Sequence, residues 1–217
     1  GVSDVVANLS GQIGTLDLST ASNVDLTNSA AISSVDATAI TNGLDFTNSG
    51  TLVLFDMTDT QSARIELTAG SNIGTLRANN ITNPTSNINN DGQIERLEVG
   101  NSSASDDVEL TIINGGTISA NTNDAVVIDD TNGGGGEINV AITNSGTIQA
   151  GTSDALNFST LAGGRLDITN SGSVSTSSSG TNNAINGEGA EGLVFLTNSG
   201  TIGNANNRAL NLQNLDG

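Results

Sequence analysis

The chain contains no cysteine, histidine, lysine, tryptophan or tyrosine, and a single proline, Pro84. Each absence removes a class of protein. Without Cys there are no disulfides and no thiol chemistry, which suits an extracellular place where no thiol can misoxidise. Without His or Cys, the metal centres built on those ligands are excluded. The five basic residues are all arginine (Arg64, Arg77, Arg96, Arg165 and Arg208), set against 23 acids, for a formal charge of −18. That balance disfavours nucleic acid and anionic membrane as partners, and favours solubility, cations or a salty medium. No apolar run reaches membrane length and no signal peptide opens the sequence, so an exported form would be a mature piece. Only Phe46, Phe55, Phe158 and Phe195 are aromatic. A core of large rings is therefore excluded, whereas Ile, Leu, Val and Ala can fill a narrow tube.

What is present is a repeat. ITNSGTI at 142–148 has relatives in LTNSAAI (26–32), FTNSGTL (46–52), IINGGTI (112–118), ITNSGSV (168–174) and LTNSGTI (196–202). The apolar residue closing each copy acts as a ruler: Ile13, Ile32, Leu52, Ile73, Ile94, Ile118, Ile148, Val174 and Ile202. The steps are 19, 20, 21, 21, 24, 30, 26 and 28 residues. Self-similarity at such spacings is the mark of a solenoid, in which no single turn can bury its apolar face alone. Gly, Ser, Thr and Asn dominate and no window sustains a 3.6-residue period, so helix is disfavoured. The phased apolar positions argue against disorder. We expect one all-β domain over 1–217, a right-handed parallel β-helix of about nine windings. Shorter windings fill 1–99 and longer ones 100–217. Three short strands per winding are read in the longer part, for example Thr147–Ala150, Ala155–Ser159 and Gly164–Thr169. The tube would be about 43 Å long at ~4.8 Å per winding. Its right hand follows the preference of parallel crossovers.

Four residues before the ruler stands Asn28, Asn48, Asn90, Asn114, Asn144, Asn170 or Asn198, with Leu9 and Ala69 in the remaining windings. Alternation along Ile142-Thr143-Asn144 puts the Asn on the same inward side as the Ile. A lone buried amide is costly. Stacked at strand spacing, amides can donate and accept along a column, so an internal asparagine ladder is expected. The alternative is that Asn is there only because it suits turns. Gly stands two residues before the ruler in seven of the nine windings, and its expected role is to supply positive φ at the corner. The stretch 79–91, with Pro84, reads as a bulging loop.

Apolar residues at the ruler, +3 and +5 leave Asp17, Asp36, Asp56, Arg77 and Glu98 outward in one column. Asp25, Asp45 and Glu66 form a second, with Arg64 on the same face. Two acidic columns, Asp17, Asp36, Asp56 and Asp25, Asp45, Glu66, suggest bound Ca²⁺; the plainer reading is a solvated face screened by salt. No other cofactor is indicated. Thr27, Thr47, Thr143, Thr169 and Thr197 line up beside the Asn column, but the second threonine column an ice face wants is interrupted. Catalysis has little to stand on. Asp106-Asp107 and Asp129-Asp130 lie in turns, where acids are usually solvated, whereas glycosidases need two carboxylates set across a cleft. The Gly-His-Gly and basic clamp of β-helical galacturonases require residues that are missing. Arg165 is the sole Arg between 97 and 207 and so the sole candidate for lyase-type chemistry. Gly133–Gly136 before Glu137 lacks the Asp of a Ca²⁺ nonapeptide and does not recur.

Over roughly 24–202, the TNSGTI style of repeat, rich in Gly, Ser, Asn and Thr and devoid of Lys and Cys, resembles the passenger region of bacterial autotransporter adhesins. It is also similar to filamentous-haemagglutinin-like exoproteins. The resemblance implies a right-handed β-helix exported to the bacterial outer surface for adhesion, aggregation or biofilm. No membrane barrel is present in this stretch. The expectation is a non-enzymatic, extracellular structural or adhesive protein. Its partners would be a host or neighbouring-cell surface, a glycan, or further copies stacked end to end into a fibre. The alternative functions are a polysaccharide-active enzyme and a cation- or ice-binding solenoid.

Overall fold

The computed structural model describes residues 4–100, 107–130, 136–177, 181–204 and 208–213. It is all-β with exclusively parallel pairing among these residues, in the arrangement of a β-solenoid. Strands are numbered in chain order. One sheet stacks β1 (Asp4–Leu9), β3 (Asn23–Asn28), β5 (Gly43–Asn48), β7 (Ala63–Leu67), β9 (Asn87–Asn90), β11 (Val108–Asn114), β14 (Ile138–Asn144), β17 (Arg165–Asn170) and β20 (Leu193–Asn198). The second stacks β2 (Gln12–Asp17), β4 (Ala31–Asp36), β6 (Thr51–Thr58), β8 (Asn72–Asn79) and β10 (Gln93–Gly100), then β12 (Thr117–Ala120), β15 (Thr147–Ala150), β18 (Ser173–Thr176) and β21 (Thr201–Asn204). From β10 a branch runs through β13 (Val126–Asp129), β16 (Leu156–Asn157), β19 (Ile185–Asn186) and β22 (Leu210–Asn211).

All nine ruler residues fall in one column, Ile13 over Ile32 and onward to Val174 over Ile202. A second interior column runs Leu26, Phe46, Ile65, Ile88, Ile112, Ile142 and Ile168, each at most 3% exposed. Period-2 alternation produces both columns: every second side chain faces the tube, and β-branched residues fit that pleated wall. Phe46 and Phe55 meet across the interior with ring centroids 4.5 Å apart. Phe158 is also buried, whereas Phe195 is 48% exposed.

Early and late strands differ in one respect. Up to β10 the second strand of each pair is continuous but skips one pairing at its bend, at Gly14, Ser33, Val53, Gly74 and Glu95. After β10 that bend opens. Ile94 and Leu97 are three residues apart, but their partners Ile118 and Val126 are eight apart. Three strands per turn therefore hold only from β11 onward; the first five strand pairs have two. The middle strand of the 147–170 turn is Leu156–Asn157, shorter than the sequence suggests. The Pro84 loop is also shorter than expected. It ends in a turn closed by Ser86 N–H on Asn83 O at 2.9 Å, and 87–90 is already strand.

The corner glycines correct the sequence reading in all but the first winding, where Gly11 has the expected positive φ, 88°. Gly50, Gly116, Gly146, Gly172 and Gly200 do not have positive φ. A Cβ on any of them would run into the backbone carbonyl of the corner stacked beneath, such as Gly116 O under Gly146. Close approach, not handedness, selects glycine there. Left-handed backbone also appears at a second corner, there on non-glycine residues: Thr20 (φ 63°), Ala39 (59°), Asp59 (55°) and Asn80 (53°). Each donates its N–H to a carbonyl of the next turn, Ala39 to Thr58 O at 2.8 Å for example. The stack holds the strained conformation in place.

Two substitutions separate these causes in a urea unfolding series. Gly146→Ala forces the corner apart and is expected to cost about 1–3 kcal/mol. Ala39→Gly relieves the left-handed strain and is expected to gain roughly 0.5–1 kcal/mol. A stabilised Gly146→Ala protein would refute the close-approach account.

Candidate functional site

The polar columns of the tube are its most ordered chemistry. Asn28, Asn48, Asn114, Asn144 and Asn170 are fully buried and Asn90 nearly so. Asn28 Nδ2 donates to Asn48 Oδ1 at 2.8 Å. Asn90 donates to Asn114, Asn114 to Asn144, Asn144 to Asn170 and Asn170 to Asn198, each at 2.7 Å. The same Oδ1 closes the corner by accepting the N–H two residues on, from Ala30 at 2.8 Å, Gly50 at 3.1 Å and Gly92 at 3.1 Å. The turn-forming and ladder readings of Asn therefore hold together in one side chain.

The column breaks once, and not where the sequence places the break. Leu67, not Ala69, lies between Asn48 and Asn90. The corner after β7 carries two extra residues, with Gly70 at φ 90°, so counting four back from Ile73 stops two residues short. The same slip misplaces an acid. Asp25 stacks on Asp45, but the next residue in that column is Arg64; Glu66 follows Thr27 and Thr47 instead. Arg64 reaches both acids, Asp45 at 3.4 Å and Glu66 at 3.5 Å, in exposed pairs.

The other outward column falls as expected, Asp17, Asp36, Asp56, Arg77 and Glu98 in register. Its carboxylates are individually capped. Ser19 N–H donates to Asp17 at 2.9 Å, and the Ser19 side-chain and backbone bonds hold the Asp17 carboxyl below its ordinary range. The Thr38 hydroxyl and N–H cap Asp36, and the Thr58 hydroxyl caps Asp56 at 2.8 Å. Arg77 bridges Asp56 at 2.9 Å and Glu98 at 2.8 Å, and its own pKa is raised, chiefly by the Glu98 bond. No group of three or more acidic, His or Cys side chains that could hold a metal ion occurs among the described residues.

A second polar column, unforeseen in the sequence, runs along the third strands. Asp124-Ala125, Asp154-Ala155, Asn183-Ala184 and Arg208-Ala209 stack in register just before those strands. The bonding is new. Asp124 accepts the Asp154 N–H at 2.9 Å and Asn157 Nδ2 at 2.8 Å. Asp154 repeats the pattern with the Asn183 N–H and with Asn186 Nδ2 at 2.9 Å. Asp154 is 7% exposed, and burial pushes its pKa up. Asp130 is likewise buried and raised, against the expectation that the Asp129-Asp130 pair is solvated. Asp107 caps the Glu137 N–H at 2.9 Å; Asp106 and 133–135 lie outside the described residues.

Arg165 is bound to Asp167 through Nε at 2.6 Å and Nη2 at 2.9 Å, and its guanidinium lies 4.3 Å above the Phe195 ring. The threonines named above are in register beside the Asn column, but Glu66, Asn89 and Ile113 interrupt them. No protein-family model matches the chain, and no curated protein or solved structure does.

Asn144→Ala removes the amide acceptor of Asn114 Nδ2, leaving it only Thr147 O at 3.1 Å, and takes from Asn170 Oδ1 its amide donor, so it is expected to cost about 1–3 kcal/mol in chemical unfolding. The raised Asp154 pKa works in the opposite sense to a salt-bridged acid. Between the ordinary carboxyl value of about 3.9 and its folded value, the folded state holds more protons. Its share of stability is complete below that window and is lost as pH rises through it. Melting curves across pH should show the wild type losing stability relative to Asp154→Asn over that window, and parallel curves would contradict this.

Proposed function

We propose that the chain is a non-enzymatic structural segment of an extracellular bacterial surface adhesin. In this reading it is a right-handed β-solenoid of nine windings whose rigid wall carries side chains for adhesion or aggregation. The observation that carries it is the uninterrupted register of the ruler column from Ile13 to Ile202, which makes a stiff rod out of a sequence with few large side chains. Right-handedness follows from the preference of parallel crossovers. Two further features support a passive role. The Asp17, Asp36 and Asp56 carboxylates are capped by neighbouring hydroxyls, N–H groups or Arg77, and Arg165 is engaged by Asp167. The partner is a host or neighbouring-cell surface, a glycan, or another copy of the rod. Val5, Ala7 and Leu9 on β1, and Val194 and Leu196 on β20, are only partly buried. Each therefore has apolar surface left for a following strand, whichever chain supplies it.

Beads coated with the protein test this directly. They are expected to adhere to cell surfaces or to one another, and negative-stain images should show straight rods or fibres. Polysaccharide panels should show no product release. Release of saccharides that is lost in Arg165→Ala, with no adhesion by coated beads, would replace the adhesive reading with an enzymatic one.

A further inference from the structure

The outer face of the first sheet is not uniform. Along its central outward column the side chains are Asp25, Asp45, Arg64 and Asn87, and then they shrink to Thr111 and Ala141 before Asp167 and Phe195 restore the bulk. The two small residues form the floor of a groove of about 410 Å³, within the roughly 300–1,000 Å³ of small-ligand clefts. Glu109 and Asn139 line one side, Pro84 the near end, and the Arg165–Asp167 pair the far end. Ile113 (44% exposed) and Phe195 (48% exposed) stand next to it on the same face.

We infer that this groove is a binding site for a neutral oligosaccharide. The inference rests on the adhesive reading and names its ligand. Charge narrows the choice first. Glu109 and Asp167 face the groove, the one guanidinium there is held bidentately by Asp167, and the whole chain carries −18. Anionic glycans are repelled, and Arg165 opposes a bare cation. The hydrogen-bonding groups narrow it further. Asn139 Nδ2 is committed to Glu109 Oε1 at 3.0 Å. Among the described residues, Glu109 Oε2, Asn139 Oδ1 and Arg165 Nη1 make no protein hydrogen bond. Two acceptors and one donor around a small-residue floor suit hydroxyls, which both donate and accept. Phe195 adds an apolar anchor: Arg165 covers one part of the ring, and the remaining surface can take the C–H face of a pyranose. The groove crosses β11, β14 and β17 at strand spacing, about 4.8 Å, which is close to the length of one sugar unit. A linear glycan lying along the rod would set successive rings over successive strands.

The test is titration calorimetry of the whole chain with neutral glucose-, galactose-, mannose- and N-acetylglucosamine-based oligosaccharides, with uronic-acid oligosaccharides as the anionic control. Binding of at least one neutral series, none of the uronic acids, and a tenfold or greater weakening in both Phe195→Ala and Ala141→Leu is the expected result. Ala141→Leu fills the floor without touching a polar group, and its melting temperature reports whether the fold is kept. Neutral binding that survives Ala141→Leu in a folded protein overturns the groove while leaving adhesion standing. Absence of saccharide binding by beads that still adhere does the same. No saccharide binding and no adhesion removes both readings.

Discussion

A buried carboxamide is tolerable only if its hydrogen bonds are met, and here the same group one turn away meets them, except beside Leu67, where Asn48 Nδ2 turns to Gly50 O and Asn90 Oδ1 accepts the Gly92 N–H. That condition ties sequence positions 20 to 30 residues apart. It also fixes register: a slip of one residue along any strand would point the amides outward and the ruler residues with them. Packing of Ile and Leu alone would not distinguish neighbouring registers so sharply, because apolar side chains are interchangeable at modest cost. The amides therefore specify and the aliphatic columns stabilise. The corner glycines follow from the same stacking, since carbonyls laid one above another leave no room for Cβ at that bend.

Much of this was legible because a ruler residue and an Asn recur at a fixed offset, so alignment by eye is alignment in space. The errors have one main source. The two extra residues around Gly70 shift everything counted backwards from Ile73, which relocates the ladder break from Ala69 to Leu67 and puts Glu66 in the wrong column. An inserted residue is invisible when the flanking motif is already degenerate. The left-handed corner at Thr20, Ala39, Asp59 and Asn80 gave no signal at all, because the residues share no chemistry and only the backbone repeats. Asp130 and Asp154 look like turn acids in the sequence. Their burial depends on the third strand, and the length of the turns after β10 opens space for that strand without announcing where it runs.

The joint between the short and long turns concentrates the irregularities. Ser71 Oγ, Asn87 Oδ1, Asn89 Oδ1 and Arg96 Nε are buried without partners among the described residues, and all four fall between the displaced corner and the point where β10 branches. Unmet polar groups of this kind cost about 1–3 kcal/mol each. Elsewhere the tube absorbs variation cheaply. Turn lengths from 19 to 30 residues leave the interior columns unchanged, so the outer surface can diversify while the wall stays the same. The groove over Thr111 and Ala141 is such a local change, made by shortening two side chains.

The hydrogen bonds of the amide spine all run the same way, with each Nδ2 reaching toward the turn that follows in sequence. The rod is thus an arrow. The last amide of the line, Asn198, is exposed and turns its Nδ2 to Gly200 O at 3.2 Å, and Leu9 stands next to Asn28 at the other end of the column. A strand prolongs this line of amides only if it keeps that sense of travel and sets an amide in register; Leu67, in the same column, interrupts the line for one turn.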